Sequence, residues 1–464
     1  MPHNPAPLTK DGSKLSLTEY VGFALGDTAS NFFFKFFGFF LLYYYTDVFG
    51  IDAKAAGTMF FVTRLIDAIT DPAMGALADR TKTRWGKYRP YLLWMAVPYG
   101  ICGYLLFANP DLSEAGKLVY AYITYSLMML VYTAINVPYS SLMGVLSPSP
   151  RVRTIASSFR FAGAFGGGLL ITTFVRPLVK ALGGEDEVLG FQYTMILFAA
   201  LSIVLFWITF ATTRERVQPP EDQENNLKEE LGELLKNKPW LLLFVAAVFS
   251  TTFIVMQNMV TLHYFKYNVG ADDVPVFWIL DRSSLFMSVG MLMMMAGAIA
   301  MGFVSQYLDK KWLSVWLTGL TSLCLVGFYF VPESNYGLLL GLNALTSFMM
   351  GPTSALVWAM YGDVADYGEY KYRRRSTGLI HSATLFSLKT GSMIAGALAG
   401  WMLYSFGFEA NQVQGERSLL GIKLMFSIIP AIFALGKAAA LFVYPLDAAY
   451  MKRIEIELAQ RKGG

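Results

Sequence analysis

The chain has 464 residues, 55% of them hydrophobic and only 15% Asp, Glu, Lys or Arg, with 36 Phe and 23 Met. So few charges cannot cover a soluble surface, where about 25% is usual, and this excludes disorder, a soluble multidomain enzyme and a nucleic-acid binder. The net charge is only +4, so where the charges fall matters more than their sum.

A membrane-crossing helix needs about 20 mostly apolar residues. Twelve runs meet that need, at roughly 18–45, 55–78, 90–108, 117–146, 155–179, 190–212, 240–267, 284–308, 311–331, 336–362, 376–405 and 418–446. None alternates with the period of a strand, and a barrel would need segments nearer ten residues. The opening residues are polar and carry Pro2, Pro5 and Pro7, so no cleaved signal peptide is expected. Cys102 and Cys324 lie far apart in apolar runs, which argues against a disulfide framework.

The loop charges predict the orientation. Arg80, Lys82, Arg84, Lys87 and Arg89 follow span two, Arg151 and Arg153 follow span four, Lys310 and Lys311 follow span eight, and Lys371, Arg373, Arg374 and Arg375 follow span ten. The intervening loops are acidic or mixed, with Asp111 and Glu114, then Glu185, Asp186 and Glu187, then Asp272 and Asp273, then Glu409 and Glu416. Both termini are therefore expected in the cytoplasm. Residues 212–239 form a polar linker whose second part, LKEELGELLKNKPW, reads as a short amphipathic helix on the inner surface. The expected organisation is a six-helix half over 1–211, a linker over 212–239, a second six-helix half over 240–446 and a charged tail over 447–464. Gly75 before Asp79-Arg80 and Gly302 before Asp309-Lys310 echo one another across the halves. The fold class is an all-α polytopic membrane protein with the major facilitator pattern and a site at the midplane between halves.

Ionisable residues within spans are costly and tend to face a cavity. Span two reads FFVTRLIDAITDPAMG. Asp67 and Asp71 are one turn apart and Arg64 shares their face. Two acids beside one base leave a surplus negative charge that a sodium ion or proton can neutralise, with Thr133 of span four as an added oxygen ligand. The bland alternative is a structural Arg–Asp network. Pro72 is expected to loosen the helix and offer carbonyls. On span one, Asp27, Asn31 and Lys35 recur every four residues. Asp27 is placed near an interface, Asn31 suits sugar hydroxyls, and Lys35 either pairs with Asp67 or Asp27 or meets an anionic group of the substrate. Arg160 and Lys389 are isolated cations that need partners, and the surplus acid of span two is the candidate for Lys389. Lys437 is expected to snorkel. Tyr132, Tyr139 and Trp358 could stack on a sugar, although helix packing is the more ordinary role. Gly163, Gly166, Gly167 and Gly168 fit close helix approach. His3, His263 and His381 stand singly and form no metal set, and no catalytic triad, phosphate loop or Cys/His cluster is present in the sequence.

YYYTDVFG (43–50), RLIDAITDPAMG (64–75), RTKTRWGKYRPY (80–91), NVPYSSL (136–142) and DVADYGEYKYR (363–373) together resemble the glycoside–pentoside–hexuronide:cation symporters, over nearly the whole chain. The resemblance implies that Asp67 and Asp71, with Asn31 and Thr133 as further ligands, form a cation site. It implies that Arg64 and Lys389 lie near it and that Arg160 lies near the cavity. It also implies that Asp366–Lys371 belong to a cytoplasmic gate, and the gate is expected to comprise Asp79, Arg80 and Arg84 after span two with Asp363, Asp366, Glu369 and Arg374 after span ten. The family's melibiose carrier has sugar-binding acids where this chain has Asn31 and Asn136. Loss of both acids, with Lys35 one turn beyond Asn31, favours an anionic ligand such as a uronide. The expected function is a bacterial inner-membrane symporter for a glycoside or short oligosaccharide, coupled to sodium or protons by alternating access. No cofactor, enzyme activity or metal beyond the coupling ion is expected, and a monomer is the default state. The alternatives are a carrier of an amphipathic lipid or drug, and a non-transporting membrane sensor.

Overall fold

In a computed structural model of the protein, residues 15–217, 232, 234–270, 275–304, 308–372 and 377–463 are described. Nearly all of these lie in helices. In chain order they are α1 (Leu17–Phe39), the one-turn α2 (Leu41–Tyr43), α3 (Ala53–Arg80), α4 (Arg89–Trp94), α5 (Ala96–Leu105), α6 (Glu114–Val145), α7 (Pro150–Gly183) and α8 (Glu187–Thr212). After the linker come α9 (Lys238–His263), α10 (Arg282–Val304), α11 (Lys310–Phe330), α12 (Tyr336–Tyr372), α13 (Thr377–Ser405), α14 (Glu416–Phe426), α15 (Ile428–Phe442) and α16 (Ala448–Gly463). Each of the twelve apolar runs falls on one or two of these helices. Among the described residues, 7 helices are long and apolar enough to cross a membrane by length and composition. The expected surface helix of the linker lies mostly outside the described residues.

The chain groups into two compact units. Unit 1 is Met1–Phe37 with Leu65–Gln223, and unit 2 is Gly38–Arg64 with Glu224–Gly464. Residues 38–64 precede the linker yet group with unit 2.

Within unit 1, α7 lies directly on α1, because glycine lets their backbones meet as the sequence predicts. A Cβ at Gly163 would stand 2.3 Å from the Ala24 carbonyl oxygen, and one at Gly167 2.8 Å from that of Thr28. Helix starts are fixed by side-chain caps. Ser113 accepts from the Gly116 amide and Asp186 from that of Leu189. Residues after α8 strap the unit, with the amides of Arg216 and Val217 donating to the Val145 carbonyl and Arg216 pairing with Glu19 at 2.5 Å.

Unit 2 uses the same device. A Cβ at Gly297 would stand 2.0 Å from the Phe348 carbonyl oxygen, and one at Gly400 2.4 Å from that of Ala53. The latter contact seats the first part of α3 on α13. Lys437 departs from expectation. Its side chain does not snorkel but is 2% exposed, donating to Ser250 at 3.1 Å and Thr353 at 3.4 Å. The reason is orientation: the side chain faces α9 and α12, which carry Ser250 and Thr353.

Two π-helical turns occur among the described residues, Tyr44–Val48 and Tyr264–Val269. The first follows the one-turn α2 and the second the long α9, and each is followed by a glycine with positive φ, Gly50 at 82° and Gly270 at 69°. Their sequences, YYYTDVFG and HYFKYNVG, align without a gap over residues 43–50 and 263–270.

Candidate substrate and cation site

The span-two acids sit on a helix that is not broken. α3 runs through Pro72 to Arg80, so the expected loosening does not take the form of a helix end. Proline still removes one amide donor and leaves the carbonyl one turn earlier without its helical partner. That carbonyl lies between Asp67 and Asp71 in the chain. Asp67 is 2% exposed. Asp71 accepts a 2.8 Å hydrogen bond from the Thr133 hydroxyl of α6. Sequence reasoning placed these two residues together, and the structure does so across 62 positions. Arg64 lies on the same helix, at the boundary where unit 2 ends and unit 1 resumes.

The α1 stripe behaves differently from its reading. Asp27 is 9% exposed, and Arg160, isolated in the sequence, is its partner here, with Nε 3.2 Å from Asp27 Oδ2. Burial of the Asp27 carboxylate is tolerable because Arg160 supplies its counter-charge. Arg160 also reaches Ser140 at 3.4 Å and covers the Tyr139 ring at 5.1 Å. Tyr139 is held by donation to the Phe23 carbonyl at 2.6 Å, so it packs rather than presents an open face.

The two amides are anchored by their own helices. Asn31 donates to the Asp27 carbonyl at 2.9 Å, and Asn136 donates to the Tyr132 carbonyl at 3.1 Å while accepting from Ser30 at 2.6 Å. Among the described residues no hydrogen bond joins Asn31 to Asp67 or Asp71. Tyr132 stands 6.2 Å from the Tyr99 ring. Lys35 has no carboxylate within ion-pair distance among the described residues, so the expected pairing with Asp27 or Asp67 is not what the structure contains. Its ammonium lies 6.0 Å from the Phe34 ring. Trp358 and Lys389 belong to unit 2, where Trp358 meets Tyr361 edge-on at 6.0 Å.

The residues assigned to the cytoplasmic gate fall into two groups. In unit 1, Tyr88 donates to Asp79 at 2.7 Å, Arg84 stacks on Trp85 at 4.3 Å, and Arg80 ends α3. Burial, then the carboxylates of Asp79 and Glu215, push the Tyr88 phenol above its ordinary value, so it remains a donor. Sequence reasoning missed Glu215. Its carboxylate accepts the amides of Lys87, Tyr88 and Arg89 at 2.8, 2.8 and 2.9 Å. A Cβ on Gly86, at φ 110°, would collide with it. In unit 2, Asp363 pairs with Lys310 at 2.7 Å, and Asp366 and Glu369 follow on the last turns of α12. Arg374 lies outside the described residues.

A family model described as "MFS/sugar transport protein" matches residues 22–448. The chain belongs to this family. It is therefore a membrane transporter of the major facilitator fold and not an enzyme. The transporter is 36% identical to the "Putative glycoside/cation symporter YagG" of Escherichia coli (strain K12), covering 97% of this chain and 96% of that one. It is 33% identical to the "Glucuronide carrier protein homolog" of the same organism, covering 97% of each. Its fold is similar to that in "Crystal structure of D-xylose-proton symporter", with TM-score 0.64, 13% identity and coverage of 93% of this chain and 97% of that one.

Proposed function

We propose that the transporter is a bacterial inner-membrane symporter, working as a monomer, that imports a glycoside or short oligosaccharide with sodium or protons. The observation that carries this reading is the hydrogen bond of the part-buried Asp71 with Thr133, beside the buried Asp67 one turn away. Two carboxylates, a hydroxyl and a carbonyl released by Pro72 make an oxygen-rich set that suits a hard cation. Arg64, on the same helix face, moderates the surplus charge. The relatives named as glycoside and glucuronide carriers support sugar as the cargo.

The mechanism follows from charge. Binding of a cation between Asp67 and Asp71 lowers their repulsion and orders the adjoining sugar site, where Asn31, Asn136 and Tyr132 offer polar groups to hydroxyls. Linkage then requires the sugar to tighten cation binding by the same factor. The halves over 1–211 and 240–446 rock around the loaded site. A potential of about 100 mV supplies roughly 2.3 kcal/mol per charge, enough for about 50-fold accumulation with one net charge moved.

The substrate reading extends to uronides. Lys35 is a cation with no carboxylate partner among the described residues, and it lies one turn beyond Asn31. A ligand carboxylate supplies the missing counter-charge. Calorimetry on the purified transporter with matched neutral and uronic glycosides tests this, in sodium and in its absence. Tighter binding of the uronide, lost in Lys35→Met, is expected. Equal affinity for both ligands with no effect of Lys35→Met would contradict it.

A further inference from the structure

Residues 43–50 and 263–270 are equivalent stretches, each ending in a π-turn, and the structure brings them together inside unit 2. Asp47 stands at the centre. Lys266 approaches its Oδ1 at 2.8 Å, the Tyr267 hydroxyl donates to the same oxygen, and His263 Nε2 lies 3.3 Å from Oδ2. Thr46 bridges, 2.7 Å from Asp47 Oδ2 and 3.0 Å from His263 Nε2. Asn411 closes the ring from the loop after α13. Its side chain donates to the Asp47 carbonyl at 2.6 Å and accepts from Lys266 at 2.7 Å, and its amide donates to Tyr267 at 2.8 Å. The carboxylate of Asp47 and the ring of His263 are fully buried. This is a pre-formed set of charge-assisted hydrogen bonds, which are stronger than neutral ones, and neither the cation site nor the gate residues of the other end use it.

We propose that the Asp47 cluster is the lock of the outer gate. It rests on the reading of this chain as an alternating-access transporter, in which the loop charges put this end outside. The segment 38–64 belongs to the first half by chain order, whereas His263, Lys266, Tyr267 and Asn411 belong to the second. Joining them holds the outer ends of the halves closed. Below the lock the same segment is seated by bare backbone, where Gly57 meets Ala397 and Gly400 meets Ala53. Beyond close packing this seam holds the neutral hydrogen bond from Trp401 to Thr58 at 3.0 Å, weaker than charge-assisted ones, so the charged cluster sets how readily it parts. π-turns recur at functional positions in helices, and here each contributes one side of the lock.

The test uses the full-length protein in sealed vesicles with Cys102→Ser and Cys324→Ser. A reporter, Ala397→Cys, lies on the α3–α13 seam and is buried. An impermeant maleimide is added outside. Asp47→Asn and, separately, Lys266→Met are expected to speed labelling by about tenfold, the loss of one charge-assisted bond, while Asp47→Glu stays slow. A control, Ala121→Cys, buried in unit 1, is expected to stay slow throughout. Unchanged labelling of Ala397→Cys in both Asp47→Asn and Lys266→Met overturns the lock, and so does a parallel rise at Ala121→Cys in both. Labelling needs neither sugar nor ion, so failure of the symport reading would appear separately, as absence of uptake with the labelling pattern intact.

Discussion

At the residue scale, the Asp71–Thr133 bond is the sharpest point of contact between sequence and structure. Four-residue spacing puts Asp67 and Asp71 on one face, and a hydroxyl on another span was the obvious complement. Thr133→Val keeps the size and removes the donor. It is expected to weaken coupling-ion affinity by about tenfold, the order of one hydrogen bond to a charged group. Sugar affinity at subsaturating ion should fall with it, and an ion titration of sugar binding checks both. Asp27 and Arg160 were legible only as costly residues, not as partners. They are separated by 133 positions, and no local pattern reports a contact that the packing of α7 on α1 creates. Arg160→Met leaves a buried carboxylate unpaired and is expected to destabilise by about 1–3 kcal/mol. Adding Asp27→Asn should recover part of that loss. A thermal melt of the two single variants and the double in detergent decides this, and additive losses would sink the pairing argument.

At the element scale, glycine placement was readable and loop chemistry was not. Gly163, Gly166, Gly167 and Gly168 announced a close helix pair, and two of them meet α1 backbone. Gly163→Val forces α1 and α7 apart. Overpacking of this kind costs about 1–3 kcal/mol, read as a lower melting temperature and poorer yield, whereas Gly166→Ala, which meets open space, should be tolerated. Glu215 had no sequence signal beyond being an acid after span six. Its role depends on three successive amides at the start of α4 turning towards one carboxylate. Glu215→Gln keeps an acceptor but loses the charge, and Glu215→Ala strips the amides of their partner. A graded loss of stability, with alanine worse than glutamine, is expected in the same melt, and equal effects would count against the clamp. Lys437 was misread because hydropathy alone does not say whether a mid-helix lysine faces lipid or neighbouring helices. The hydroxyls of Ser250 and Thr353 that receive it come from two other helices.

At the scale of the whole molecule, composition and loop charge carried most of the fold. Apolar runs of span length, separated by loops of alternating charge, point to a polytopic helical membrane protein, and the family match agrees. What remained hidden was the grouping of residues 38–64 with unit 2. Chain order assigns them to the first half, and contacts such as the cluster at Asp47 and the glycine seam at Gly57 and Gly400 explain their place. The matching stretches 43–50 and 263–270 could have been found in the sequence. Their shared Tyr and final Gly are a short signal that gains meaning once both are seen to end in π-turns. Span two is where these scales meet, because in the proposed mechanism a cation held by Asp67 and Asp71 would make movement of the molecule depend on an ion gradient.

The measurement that tests this most directly is uptake of neutral and uronic glycosides into vesicles, with sodium and proton gradients imposed separately and Asp71→Asn run in parallel. The account predicts accumulation of at least one glycoside under one of the two gradients, abolished in Asp71→Asn. Gradient-driven accumulation that survives Asp71→Asn unchanged would contradict the span-two cation site, and indifference to every sugar under both gradients would contradict sugar symport itself.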